Sequence, residues 1–176
     1  MLESLKYEIL IKQYKNTIYN YAFYMLKDSM DADDVSQEVF IKIWKSIDTF
    51  NLKAAKAWIM KVTHNLCIDY LRRRKANQGR EIDIEKEFKN KSGEDNNLTD
   101  VEVGLRKKIL KEKISDGIKH LPETLRSVFV LYELHGFKYS EISETLNLPL
   151  NSVKVYLMRA RKKLQEELRE WKDEQF

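Results

Sequence analysis

Apolar side chains recur at spacings of three and four from the start of the chain. Leu5, Ile9, Ile11, Tyr14, Ile18, Tyr21, Tyr24 and Met25 fall on one side of an α-helix over residues 5–26. Asp28-Ser29 interrupts this pattern. From Asp31 a second helix is expected, because aspartates in its first turn suit the positive end of the helix dipole. Val35, Val39, Phe40, Ile43, Trp44 and Ile47 then mark its apolar side, and it runs to about Ile47. After the polar joint Asp48-Thr49-Phe50-Asn51, a third helix spans roughly residues 54–75, with Ile59, Val62, Leu66 and Tyr70 as its stripe. Three helices with short joints predict a compact bundle.

Residues 76–100, ANQGREIDIEKEFKNKSGEDNNLTD, break the pattern, having few apolar anchors and many charges. Such a segment buries too little surface to offset the entropy of ordering it, which predicts a flexible linker. Periodicity resumes at Val101, Leu105, Ile109, Ile114, Ile118 and Leu121. Pro122 then opens a helix that runs through about Leu134, and Gly136 supplies a turn. The fold class expected is all-α: an N-terminal helical bundle over residues 1–75, an acidic linker over 76–104 and a C-terminal helical domain over 105–176.

Within the last of these, KYSEISETLNLPLNSVKVYLMRARKKL (138–164) reads as two short helices around a tight joint. Ser140 suits the cap of the first, with Ile142 and Leu146 facing inward. Asn147 stands at the sharp turn, since asparagine tolerates a left-handed backbone better than most residues. Pro149 follows at the edge of the next helix, where a missing amide proton does no harm. Val153 and Leu157 bury that helix. Asn151, Ser152, Lys154, Val155, Tyr156, Met158 and Arg159 are left on or near its open side, the surface a recognition helix offers the DNA major groove. The basic continuation, including Arg161, Lys162 and Lys163, is placed to reach phosphates. The bland alternative is a packed helical hairpin with a solvated basic face.

Charge sharpens the picture. The net formal charge is only +4, yet residues 51–75 hold seven Lys/Arg against one acid and residues 150–164 hold five against none. Residues 76–104 carry eight acids against four bases. Two separated basic stretches suggest two contacts with a polyanion. The single cysteine, Cys67, excludes an intramolecular disulfide and reads as core packing. No Cys/His spacing suits a metal, no cofactor motif is present, and His64, His120 and His135 lie too far apart in sequence to suggest catalysis. No apolar run is long enough to cross a bilayer, so a cytoplasmic protein without membrane insertion is expected.

The segment LPETLRSVFVLYELHGFKYSEISETLNLPLNSVKVYLMRARKKLQEEL resembles the C-terminal domain of extracytoplasmic-function RNA polymerase sigma factors, which binds the promoter −35 element. Upstream, DADDVSQEVFIKIWKSIDTF is similar to that family's polymerase-binding helix, and KAWIMKVTHNLCIDYLRRRK to its −10 recognition helix. Together the likeness covers residues 5–75 and 105–168. It implies a non-enzymatic subunit with three partners: core RNA polymerase, through the clamp coiled coil of the largest subunit and the flap; promoter DNA; and an anti-sigma protein.

The resemblance assigns Asp31, Asp33, Asp34, Gln37 and Glu38 to the polymerase clamp, although a solvated first turn explains Asp31 and Asp33 equally well. For the −10 element it points to the third helix. There Lys61, Asn65, Asp69 and Arg72 recur at spacings of four, four and three and so share one face, with Arg73 and Arg74 beside them. An amide, a carboxylate and cations suit unpaired base edges and their phosphates. The family's pocket extends to the start of this helix, which adds Lys56 and Trp58; Trp58 reads equally as core. His64 is either a pocket-lining group or a plain surface histidine.

Departures from the family pattern matter too. Asn151-Ser152 replace the usual Gly-Thr, and Val155-Tyr156 replace a common Ser-Arg pair, so the −35 preference of relatives does not transfer. The acids Asp83, Glu85 and Glu87 are expected to imitate nucleic acid near the polymerase active-site channel. Two rival readings stand beside the sigma factor: a duplex-binding regulator that dimerises and needs no polymerase, and a helical adaptor or anti-sigma decoy.

Overall fold

The computed structural model describes residues 1–78 and 101–175, and every regular element among them is helical. The acids Asp83, Glu85 and Glu87 lie outside the described residues. The first helix, α1 (Leu2–Leu26), ends because Lys27 adopts the left-handed conformation (φ 61°, ψ 23°) and returns its amide to the Phe23 carbonyl. Asp28 then caps α2 (Ser29–Lys45), its carboxylate accepting the Asp31 amide at 2.9 Å. The second helix thus starts two residues before the expected Asp31, because its cap lies in the break itself.

Two single 3-10 turns, Ile47–Thr49 and Leu52–Ala54, lead into α3 (Ala55–Gln78). The three helices close around Ile18, Tyr21, Ala22 and Met25 of α1, Val35, Val39 and Ile43 of α2, and Ile59, Met60 and Cys67 of α3. All of these are fully buried. Burying each such aliphatic side chain stabilises the fold by roughly 1.5–3 kcal/mol. Leu5 and Ile9, expected on the buried stripe of α1, are instead about half exposed, as is Trp44 of α2. Leu10, next to Ile9, is buried instead, so the covered side of α1 is turned away from the Leu5–Ile9 row.

The C-terminal helices are α4 (Val101–His120), α5 (Glu123–Phe129), α6 (Tyr139–Leu146) and α7 (Leu150–Gln175). The helix expected to run from Pro122 to Leu134 changes character at Val130. Val130–Leu134 is a π-helical stretch, closed by the His135 amide on the Val130 carbonyl at 3.2 Å. Gly136 (φ 67°) follows it, as its turn requires. Asn147 is left-handed (φ 53°, ψ 50°) and Pro149 stands immediately before α7. Ser140 is not the cap of α6. The Glu141 carboxylate takes the Lys138 amide at 2.8 Å, because Glu141 sits at the third helical position where a side chain reaches back. Val153, Leu157, Ala160 and Leu164 bury α7 against Ile142, Val128 and Leu131. Of the apolar row expected along α4, Ile118 and Leu121 are buried while Leu105 and Ile109 are exposed.

Candidate nucleic-acid interface

Two helices carry the basic faces. On α3, Lys61, Asn65, Arg72 and Arg73 are exposed, and Asp69 lies half-buried 3.7 Å from the Arg72 guanidinium. Arg73 also lies 5.7 Å from the ring centre of Tyr70. Cations therefore flank an amide and a carboxylate on one open surface, which is the chemistry for holding phosphates while bonding base edges.

Other expected contacts on this helix are committed elsewhere. Arg74 turns inward, donating to the Leu26 carbonyl at 2.8 Å and pairing with Asp31. It satisfies a carbonyl at the end of α1 and ties α3 to the start of α2. Two residues assigned to different surfaces, Asp31 to polymerase and Arg74 to DNA, therefore hold each other. Trp58 is half-buried, its ring edge-on to Phe50 with centroids 4.7 Å apart, so it packs the joint before α3. Lys56 pairs with Glu141 at 3.1 Å and lies 4.1 Å above the Phe137 ring. The Lys138 amide, and behind it Lys56, hold the Glu141 carboxyl below the usual carboxylate range.

His64 is not an exposed surface group. Its Nδ1 is 2.8 Å from the Tyr21 hydroxyl, and burial lowers its pKa to about 4. It lines a cavity of about 100 Å³ together with Glu123, Thr124, Ser127, Leu146 and Leu148. That cavity lies where α3 meets the C-terminal helices. Arg126, only 5% exposed, crosses the same junction: it donates to the Lys119 and Leu121 carbonyls at 3.1 and 3.0 Å and to the Met25 carbonyl at 3.0 Å. Lys119 stands 4.5 Å above the Phe23 ring. Residues Arg126, Lys119, Phe137 and Glu141 escaped the sequence reading, because partners more than eighty positions apart leave no local period.

On α7, Asn151, Lys154, Val155, Met158, Arg159 and Lys162 are exposed, and Ser152 and Tyr156 are half-buried. Arg161 is exposed, but its Nε donates to Glu133 at 2.6 Å. The second helix presents Asp33, Asp34 and Gln37 outward, with Glu38 half-buried. Ile41 (53% exposed) and Trp44 (49%) continue the row from Gln37 at helical spacing. Trp44, expected on the apolar side of this helix, is about half exposed and meets Tyr7 edge-on with ring centres 5.2 Å apart. Among the described residues no cluster of His, Cys, Asp and Glu could hold a metal, and no helix is long and apolar enough to cross a membrane.

A three-helix bundle with a basic, amide-bearing face, joined to a helix-turn-helix with a basic second helix, defines a helical protein with two exposed basic surfaces. Family comparison matches sigma-70 region 2 at residues 10–77 and sigma-70 region 4 at residues 111–164. The chain belongs to the sigma-70 family, among the ECF RNA polymerase sigma factors. It is 30% identical to SigW of Bacillus subtilis, an ECF RNA polymerase sigma factor, over 89% of this chain and 86% of that one. It is 31% identical to the ECF sigma-E factor of Escherichia coli K12, over 76% and 71% of the two chains. With SigE of Mycolicibacterium smegmatis it shares 27% identity, and there the match spans 90% of this chain but only 60% of the relative. Among solved structures, sigma factor RpoE of Bartonella quintana, bound to the anti-sigma factor NepR, shares the fold with a TM-score of 0.70. That match has 19% identity and covers 90% of this chain and 94% of the other. CnrH in complex with the cytosolic domain of CnrY gives a TM-score of 0.64 at 21% identity, over 92% and 86% of the two chains.

Proposed function

We propose that this chain is an alternative sigma factor that binds core RNA polymerase and directs promoter-specific initiation, with α3 reading the −10 element and α7 the −35 element. The observation that carries this reading is the pair of open basic faces on α3 and α7 within one chain of the sigma-70 family. The −10 face consists of Lys61, Asn65, Asp69, Arg72 and Arg73, with Lys56 joining it once freed from Glu141. Arg74 and Trp58 serve packing. The −35 face consists of Asn151, Ser152, Lys154, Val155, Tyr156, Met158, Arg159 and Lys162. Asp33, Asp34 and Gln37, continued by Ile41 and Trp44, form the surface for polymerase. The organisation supporting this role is residues 1–75 and 105–176 as two binding units with 76–104 between them. No chemical step is required of the chain. It works in the cytoplasm, where polymerase and DNA are found, and a dedicated anti-sigma protein restrains it; the structural relative RpoE is solved in complex with the anti-sigma factor NepR, which supports this partner class.

The test is run-off transcription with core polymerase over a promoter library randomised at both elements. Two enriched boxes are expected, and Asn65→Ala should lower output from the best promoter about fivefold, the equivalent of roughly 1 kcal/mol for one lost hydrogen bond. Transcription no higher than core enzyme alone, with stable duplex binding in its absence, would replace this reading with that of a polymerase-independent regulator.

A further inference from the structure

Four side chains form a ladder on the outer edge of the C-terminal helices. Arg161 is held by Glu133, and its guanidinium carbon stands 5.3 Å from the ring centre of Tyr132. Tyr132 stacks on Tyr139 with centroids 5.0 Å apart and planes inclined by 12°. Beyond Tyr139, the Lys154 ammonium lies 5.8 Å from the ring centre. The order is guanidinium, ring, ring, ammonium. A cation over a ring face is drawn to the negative end of the ring quadrupole, so each end of the stack carries the charge that suits it. Lys154 and Arg161 sit seven residues apart on one row of α7, and Tyr132 and Tyr139 arrive there because the π-helical stretch and Gly136 fold the chain back between them.

Lysine on an exposed helix surface ordinarily samples many rotamers. The Tyr139 ring biases this one toward α6, whose first residue is Tyr139 itself. In a helix-turn-helix the first helix crosses the DNA backbone while the second enters the groove. A lysine drawn toward the first helix is thereby drawn toward phosphates and away from base edges. Arg161, by contrast, is committed to Glu133 and closes the far end of the ladder.

We infer that Tyr139 is a positioning residue for −35 binding: stacked on Tyr132 and anchored through Arg161 and Glu133, its ring holds the Lys154 ammonium against a phosphate of the −35 duplex. This rests on the reading of α7 as the −35 helix.

The experiment uses holoenzyme assembled from the full chain and core polymerase, titrated onto promoter fragments at several salt concentrations. Lys154→Ala should reduce the slope of log affinity against log salt by about one, the signature of a lost phosphate contact. Tyr139→Leu should weaken binding about three- to fivefold and lower the same slope, with equal loss on every −35 sequence. The double variant should bind within about twofold of Lys154→Ala alone, because the two residues act as one unit. Tyr139→Phe, which keeps the ring, should stay within about twofold of the parent. Additive losses in the double variant, an unchanged slope in Tyr139→Leu, or a loss confined to particular base pairs overturns the inference while leaving the −35 reading intact. A parent holoenzyme indifferent to replacement of the −35 element overturns both.

Discussion

At His64 the environment decides a property that the side chain alone would not have. A solvated histidine titrates near 6.5, whereas burial beside Tyr21 lowers this one to about 4, and His135, also buried and lacking a partner for Nε2, is lowered to about 4 as well. Because the folded pKa lies below the unfolded one, the neutral imidazole favours the native state. That stability is complete above pH 6.5 and is lost as pH falls toward 4, when the unfolded chain takes up the proton first. A shift of this size corresponds to on the order of 3 kcal/mol for His64. Urea unfolding of the parent should therefore show a marked drop in midpoint between pH 7 and pH 4.5, and His64→Gln should flatten it; an equal drop in both proteins would contradict the burial argument. The sequence placed His64 correctly on α3 next to Asn65. It could not show that Leu146, Leu148 and Ser127, some sixty to eighty positions away, would close over it.

Among the elements, the turn of the helix-turn-helix depends on one backbone conformation. Asn147 holds φ 53° and ψ 50°, a region that costs a residue bearing a Cβ roughly 1–2 kcal/mol unless its side chain compensates. Asn147→Gly should leave the thermal midpoint unchanged or raise it, while Asn147→Ala should lower stability by about 1 kcal/mol. Calorimetry on the two variants checks the order, and an Ala variant as stable as Gly would show that the turn is not strained. This turn was legible because asparagine, proline and the flanking apolar pairs all act locally. So were the three N-terminal helices and the buried α7 positions Val153 and Leu157. The π-helical stretch at Val130–Leu134 was not, since its residues fit an ordinary helix equally well. The cap of α6 was misplaced for a related reason. A glutamate reaching back three residues competes with a serine hydroxyl, and only the geometry shows which one bonds.

At the scale of the whole molecule, direct contacts hold the N- and C-terminal helices together. Glu141 of α6 holds Lys56 of α3, and Arg126 fastens the C-terminal helices to the end of α1. The −10 and −35 elements lie about 25 base pairs apart, or ~85 Å of duplex at 3.4 Å per step. A compact chain of this length has a radius of gyration of only ~16 Å. If α3 and α7 read the two elements as proposed, one chain holds both only when the N- and C-terminal helices separate. Between the described stretches lie 22 residues, 79 to 100, and any chain of that length spans at most ~75 Å when fully extended. The Lys56–Glu141 pair resists little: with side chains 37% and 33% exposed it contributes about 1 kcal/mol or less. Arg126, buried on three carbonyls, resists more. Sequence charge revealed the two basic stretches, but the contacts that fold them together became visible only through pairs of residues far apart in the chain.

The most direct test places fluorescent probes at two exposed positions, Lys53 before α3 and Glu144 on α6, and measures their separation by energy transfer. The distance should be short in the free chain and longer by tens of ångströms in the complex with core polymerase and an open promoter, as expected from ~85 Å between the two elements. A separation that stays short while the same complex makes transcript would contradict the claim that this chain spans both promoter elements.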